Sequence, residues 1–127
     1  MSMKRFTAFV AGGAAVAAAT AMLIVAPANA ADTWAVISYS PATGAYGWAN
    51  QSSTEQDATN RATGFCIQYG GTDCQKAAWV RNGCAALATK PDGAWHGGIG
   101  PTTAAAEENA LWQNNGGTIQ VSKCSAG

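Results

Sequence analysis

The chain has 127 residues, with 7 basic and 7 acidic side chains, one histidine and 48% hydrophobic residues. That length allows one small domain and excludes a multidomain enzyme. The balanced charge lacks the basic excess of a nucleic-acid binder, so no nucleic-acid partner is expected.

Residues 1–30 read as a secretory signal peptide. Lys4 and Arg5 form a short positive start, and no charge occurs from Phe6 to Ala26. Pro27 breaks the apolar run, and Ala28-Asn29-Ala30 is a small-x-small cleavage site. The run approaches the length of a membrane anchor, but the breaker and the cleavage tripeptide favour export. Cleavage after Ala30 leaves 97 residues with five basic and seven acidic side chains, a net charge of −2. No membrane association is expected after cleavage, and the expected location is extracellular or at the cell envelope. Only nine of the 97 residues are Val, Ile or Leu, and nine are aromatic. This shortage predicts a core that leans on tryptophans, alanine packing and disulfides.

Trp34–Tyr39 is a strand, Ser40–Gly44 a turn, and Ala45–Trp48 a second strand of alternating small and aromatic residues. Gln51–Glu55 starts a helix, with Ser52 and Glu55 at capping-box spacing. The helix runs to about Cys66, with Ala58, Ala62 and Phe65 on one face. Gly70-Gly71 is a loop, and Cys74–Val80 a third strand. Arg81-Asn82-Gly83 then reads as a tight Asn-Gly hairpin turn.

The same order recurs. Cys84–Thr89 is a strand, Lys90–Gly93 a turn, and Ala94–Gly97 a strand. Gly97–Gly100 reads as a loop, Thr103–Gln113 as a helix with Ala106, Ala110 and Leu111 inward, and Thr118–Cys124 as the last strand. Pro41 matches Pro91, Gly44-Ala45-Tyr46 matches Gly93-Ala94-Trp95, and Ala58 and Ala62 match Ala106 and Ala110. After the signal peptide, residues 31–127 are therefore expected to form one α+β domain. It has two ββαβ repeats, about 34–83 and 84–124, in a mostly antiparallel sheet with two helices.

Four cysteines in an exported chain point to two disulfides. Cys66 and Cys74 have Asn114 and Thr118 as their equivalents in the second repeat. A pair missing together suggests Cys66–Cys74, which leaves Cys84–Cys124. The spacings contain no C-x-x-C and the single histidine has no ligand cluster, so no metal or other cofactor is expected.

Trp34-Ala-Val-Ile-Ser-Tyr-Ser-Pro-Ala-Thr-Gly-Ala-Tyr-Gly-Trp48, Trp79-Val-Arg-Asn-Gly-Cys84 and the Pro-Asp-Gly-Ala-Trp turn at 91–95 resemble the DUF4189 family. The resemblance covers about residues 34–124. It implies a small secreted bacterial protein of a largely actinobacterial family, with no established catalytic residues. Many members carry a further cysteine pair in the second half, so the resemblance implies a less constrained second loop here.

No residue set reads as catalytic. His96 is the only ordinary neutral-pH base, and no G-x-S-x-G motif accompanies it. Glu55, Asp57, Glu107 and Glu108 suit the early turns of the two helices. The aromatic excess is more informative. Tyr46, Trp48 and Trp95 hold related positions in the two repeats and are candidates for a binding strip, with His96 and Arg81 nearby in sequence. The expectation is a non-enzymatic binding protein with a protein or glycan partner, or one that self-associates. A small secreted hydrolase of cell-wall or glycan polymer and an inhibitor or immunity-type protein are the alternatives.

Overall fold

A computed structural model describes residues 31–127; the expected signal peptide, 1–30, lies outside the described residues. Residues Asp32–Gly127 form one compact unit. The elements are β1 (Trp34–Tyr39), β2 (Tyr46–Ser52), α1 (Glu55–Gln68), β3 (Gln75–Arg81), β4 (Cys84–Thr89), β5 (Trp95–Gly100), α2 (Thr103–Gln113) and β6 (Thr118–Cys124). The two ββαβ repeats are present.

Each repeat closes its own antiparallel three-stranded sheet, in the orders β2-β1-β3 and β5-β4-β6. The expected sheet is thus two sheets. The central strands show why. Both are buried on both faces, and alternate residues serve different neighbours. Ala35, Ile37 and Tyr39 of β1 meet Ala85 and Leu87 of β4 in a core between the sheets. Val36 instead packs on Ala58 and Ala62 of α1, while Ala86 and Ala88 pack on Ala106 and Ala110 of α2. The layers therefore run helix, sheet, sheet, helix. Tyr39 and Trp95 cross the central layer with ring centroids 5.5 Å apart.

The repeats match in detail. β3 bulges against β1 between Ile37 and Ser38, and β6 bulges against β4 at the equivalent step between Leu87 and Ala88. Gly44 (φ +80°) and Gly93 (φ +96°) close equivalent turns, each adopting a backbone shape that glycine allows. Thr54 and Thr102 cap the helices by accepting from the amides of Asp57 and Ala105. Ser52 is not the cap, because it ends β2 opposite Trp34 and is buried there.

Asn82-Gly83 does not make a hairpin, since β3 and β4 lie in different sheets. It is a crossing. The Asn82 amide donates to the Thr33 carbonyl (2.9 Å), and the Thr33 amide donates to Asn82 Oδ1 (3.0 Å). The Ser125 amide donates to the Gly83 carbonyl (2.7 Å), and the Gly83 amide donates to Ser125 Oγ (3.1 Å). The residue after each repeat's last strand thus clasps the residue before its first strand. The two clasps touch where Thr33 Oγ1 donates to Ser125 Oγ at 3.1 Å.

The disulfides are Cys66–Cys74 and Cys84–Cys124. The second joins directly opposed residues of β4 and β6. In repeat two, buried Asn114 occupies the place of Cys66. Its amide donates to the carbonyls of Gly116 (3.1 Å) and Ala94 (3.5 Å), while Cys66 Sγ lies 3.7 Å from the equivalent Ala45 carbonyl. The second loop therefore lacks the covalent tie but keeps a hydrogen-bonded one.

Three further sequence expectations change. Phe65 is 42% exposed, and Cys66 takes the inward place after Ala58 and Ala62. Gly97–Gly100 is strand β5 and not a loop. The tryptophans do not fill the core: Trp48, Trp79 and Trp112 are exposed, and only Trp34 and Trp95 are half-buried.

The disulfides span 40 and 8 residues of sequence. By loop-closure entropy, Cys84→Ala/Cys124→Ala is expected to cost about 4 kcal/mol and Cys66→Ala/Cys74→Ala about 2.5 kcal/mol. Urea denaturation of the two double variants measures this, and the reverse order would contradict it.

Candidate functional site

β2 is an edge strand, paired only with β1. A groove of about 670 Å³ runs along its free side. One wall is the unbroken run Gly44–Ala49. Consecutive strand residues face opposite ways, so a groove touching all of them must follow the strand's edge. The other wall is Arg61, Phe65 and Tyr69. Their spacing of four places them on one stripe of α1.

The stripe faces outward because α1 uses another face for packing. Ala58, Ala62 and Cys66 lie against the sheet. Gly47 lets the helix come close, since a Cβ there would meet the Ala62 and Cys66 backbone and lie 2.8 Å from Phe65 Cβ. Phe65 is thereby held beside β2 with its ring partly in solvent. Tyr69 follows at 68% exposure and Trp48 shows 37%. Lys123 of β6 sits 3.9 Å from the centre of the Trp48 ring, a cation–π contact.

Arg61 is anchored. It donates to the Asn50 carbonyl at 2.9 Å and to Ser52 Oγ, and it pairs with Asp57 at 3.3 Å. Both side chains of that pair are about half exposed, so it contributes little to stability. At the other end, Ser40 ties the β1–β2 turn to the Cys66–Cys74 loop. Its hydroxyl donates to Asp73 and accepts from the amide of Thr72 at 3.2 Å. The Ser40 hydrogen bond is the main cause holding the Asp73 carboxyl below its ordinary pKa, against some desolvation and with help from the Ala42 amide at 3.2 Å.

The five surface candidates separate. Tyr46 and Trp48 line the β2 groove. Trp95 and His96 line a second groove between β3, β5 and α2, beside Trp79, Asn109 and Gln113, with no carboxylate in its lining. Arg81 ends β3 and stands 3.7 Å from Asp32, with both side chains exposed. Phe65, Tyr69 and Arg61 were not legible as site residues. The i, i+4, i+8 spacing of the three was the available signal, hidden by placing Phe65 inward.

The carboxylates do not converge. Glu55 pairs with Lys76 across to β3, Asp57 pairs with Arg61, and Glu107, in the second turn of α2, accepts from Ser122. Among the described residues no three His, Cys, Asp or Glu side chains gather where they could hold a metal ion.

Residues 34–126 match the family model described as a domain of unknown function, DUF4189. The chain belongs to the DUF4189 family. Protein Rv1269c of Mycobacterium tuberculosis and Protein Mb1300c of Mycobacterium bovis are each 40% identical to it over 97 residues, covering 76% of this chain and 73% of theirs. The NMR structure of Rv1813c from Mycobacterium tuberculosis matches with a TM-score of 0.57 and 31% identity, over 72% of this chain and 74% of that one. The DUF4189 fold described above is thus shared with an experimentally solved relative.

The lowered Asp73 pKa makes the tie between the β1–β2 turn and the Cys66–Cys74 loop acid-sensitive. A depressed folded-state pKa contributes stability above the unfolded value of about 3.9, and the contribution is lost as pH falls through the folded value. Asp73→Asn is expected to flatten that part of the acid limb in pH-dependent thermal melts. An unchanged acid limb would contradict it.

Proposed function

We propose that this DUF4189 protein is an exported, non-enzymatic binding domain that captures its partner in the groove between β2 and α1. One observation carries the reading. Of the groove's four aromatic rings, only Tyr46 has an aromatic counterpart in repeat two, Trp95. By strand pairing and helix equivalence, Trp48 corresponds to Gly97 and Phe65 to Gln113, where α2 ends, so the turn that carries Tyr69 has no counterpart. Repeat two builds the same sheet and helix without the other three rings, so the fold does not require them. Exposed aromatic surface that folding does not need is the usual mark of a contact site.

The lining holds no histidine and no carboxylate, only Arg61 among charged residues. That composition supports binding over acid–base chemistry. Two disulfides support an oxidising compartment. No helix among the described residues is long and apolar enough to cross a membrane.

The test uses protein recovered from the medium of a secreting host. Expected is a chain beginning at Ala31 that retains a partner from culture-medium or cell-wall fractions. Trp48→Ala/Phe65→Ala/Tyr69→Ala is expected to lose the partner. Trp112→Ala, which removes the most exposed tryptophan, should retain it. Retention by the groove variant, or equal loss with Trp112→Ala, would contradict the reading.

A further inference from the structure

We propose that the groove takes an extended peptide bearing acidic side chains, added as a fourth strand on the free edge of β2. This rests on the binding reading above and names the class of partner.

The shape of the groove follows from the two elements that wall it. Four strand residues, Tyr46–Ala49, span about 13 Å at the usual rise. From Arg61 to Tyr69 the helix advances about 12 Å. The aromatic stripe and the open strand edge are therefore equally long and lie side by side. An incoming strand could use the backbone of β2 for hydrogen bonds and set alternate side chains against Phe65 and Tyr69 on one side and Trp48 on the other.

The protein itself uses the far end of that edge and leaves the rest. At the start, the Ser40 amide donates to the Ala45 carbonyl at 2.8 Å on the side of β2 that faces β1, which leaves the outer side free. Near the end, the Asn50 carbonyl accepts from Arg61 at 2.9 Å and the Gln51 amide donates to Ser125 at 2.8 Å. The outward backbone groups of Tyr46–Ala49 have no neighbouring strand. An uncovered edge of this kind is a template for pairing.

The counterpart edge in repeat two is held at the same end, by the helix residue equivalent to Arg61. The Ile99 amide of β5 donates to Asn109 Oδ1 at 3.1 Å, and Gln113 braces Asn109 at 3.0 Å. Gly97 lies against the Ala77 carbonyl, where a Cβ would clash with backbone. Each edge is thus engaged at one end by its own helix, and the edge of β2 is the one lined by Phe65 and Tyr69.

The rim charge selects for acid. Arg61 lies in the wall and Lys123 lies over Trp48, so cations stand on both sides of the edge. Asp57 already pairs with Arg61, so the charge left to attract an acidic side chain is chiefly that of Lys123. The expected domain as a whole is net negative, which makes this cationic rim a local exception.

The test selects a phage-displayed random heptapeptide library on the oxidised protein. Expected are peptides alternating apolar residues with Asp or Glu. Their affinity should fall at least tenfold with Phe65→Ala/Tyr69→Ala, with Lys123→Glu, and when the central peptide amides are N-methylated. Hydrogen exchange should slow at alternate amides within Tyr46–Ala49. Groove-dependent peptides that tolerate N-methylation would overturn the added strand. So would a library that yields no groove-dependent peptide, a hexamer of N-acetylglucosamine perturbing the same residues in its place, or a dimer that Phe65→Ala/Tyr69→Ala dissociates. A partner captured through the groove but indifferent to such peptides would leave the binding reading standing and this one refuted.

Discussion

The structure depends on how closely each helix lies on its sheet. At Gly47 a Cβ would run into the backbone of α1, and at Gly98 it would lie 2.7 Å from both the Ala106 carbonyl and Ala110 Cα of α2. The helices meet the strands through alanines: Ala58 and Ala62 on one side, Ala106 and Ala110 on the other. At that separation there is no room for a six-membered ring between the layers. Interiors pack near crystal density, so extra volume must go elsewhere. Ile37, Val80 and Leu87 fill the layer between the sheets, and most aromatic side chains are displaced to the surface. The β2 groove is where Trp48, Phe65 and Tyr69 end up.

Much of the architecture was legible in the sequence because it is stated twice. Proline and glycine at Pro41/Gly44 and Pro91/Gly93, and alanine pairs at one offset, mark equivalent turns and helices. The missing counterparts of Cys66 and Cys74 chose the disulfide partners. The errors share one cause. Ring size suggested core, yet a core of close-set layers selects small residues, so Phe65 gave its inward place to Cys66. Ser52 had capping-box spacing, but strand pairing to Trp34 carried β2 through it and moved the cap to Thr54. Asn82-Gly83 had hairpin chemistry, but its neighbours pair with different strands. Local signals of this kind yield when tertiary pairing competes for the same residues.

The two repeats have also diverged in a way that separates folding from function. Bulges, caps, turns and the Asn82 and Ser125 clasps are common to both, so they belong to the fold. Asn114 replaces a half-cystine with hydrogen bonds to the same neighbourhood. Trp48, Phe65 and Tyr69 around β2 have no aromatic counterparts in repeat two. The shared DUF4189 fold accounts for the first group, and binding to a partner gives the second a reason.

The central claim is that small residues, and not the aromatic rings, hold the layers together. Urea denaturation of single variants tests it directly. Gly47→Ala and Gly98→Ala are expected to cost about 2–3 kcal/mol each by overpacking, or to prevent folding. Phe65→Ala, Tyr69→Ala and Trp112→Ala should each cost less than about 1 kcal/mol, as exposed side chains do. Near-neutral glycine variants, together with losses of about 3–5 kcal/mol on truncating the rings, would show that the aromatic residues form the core after all.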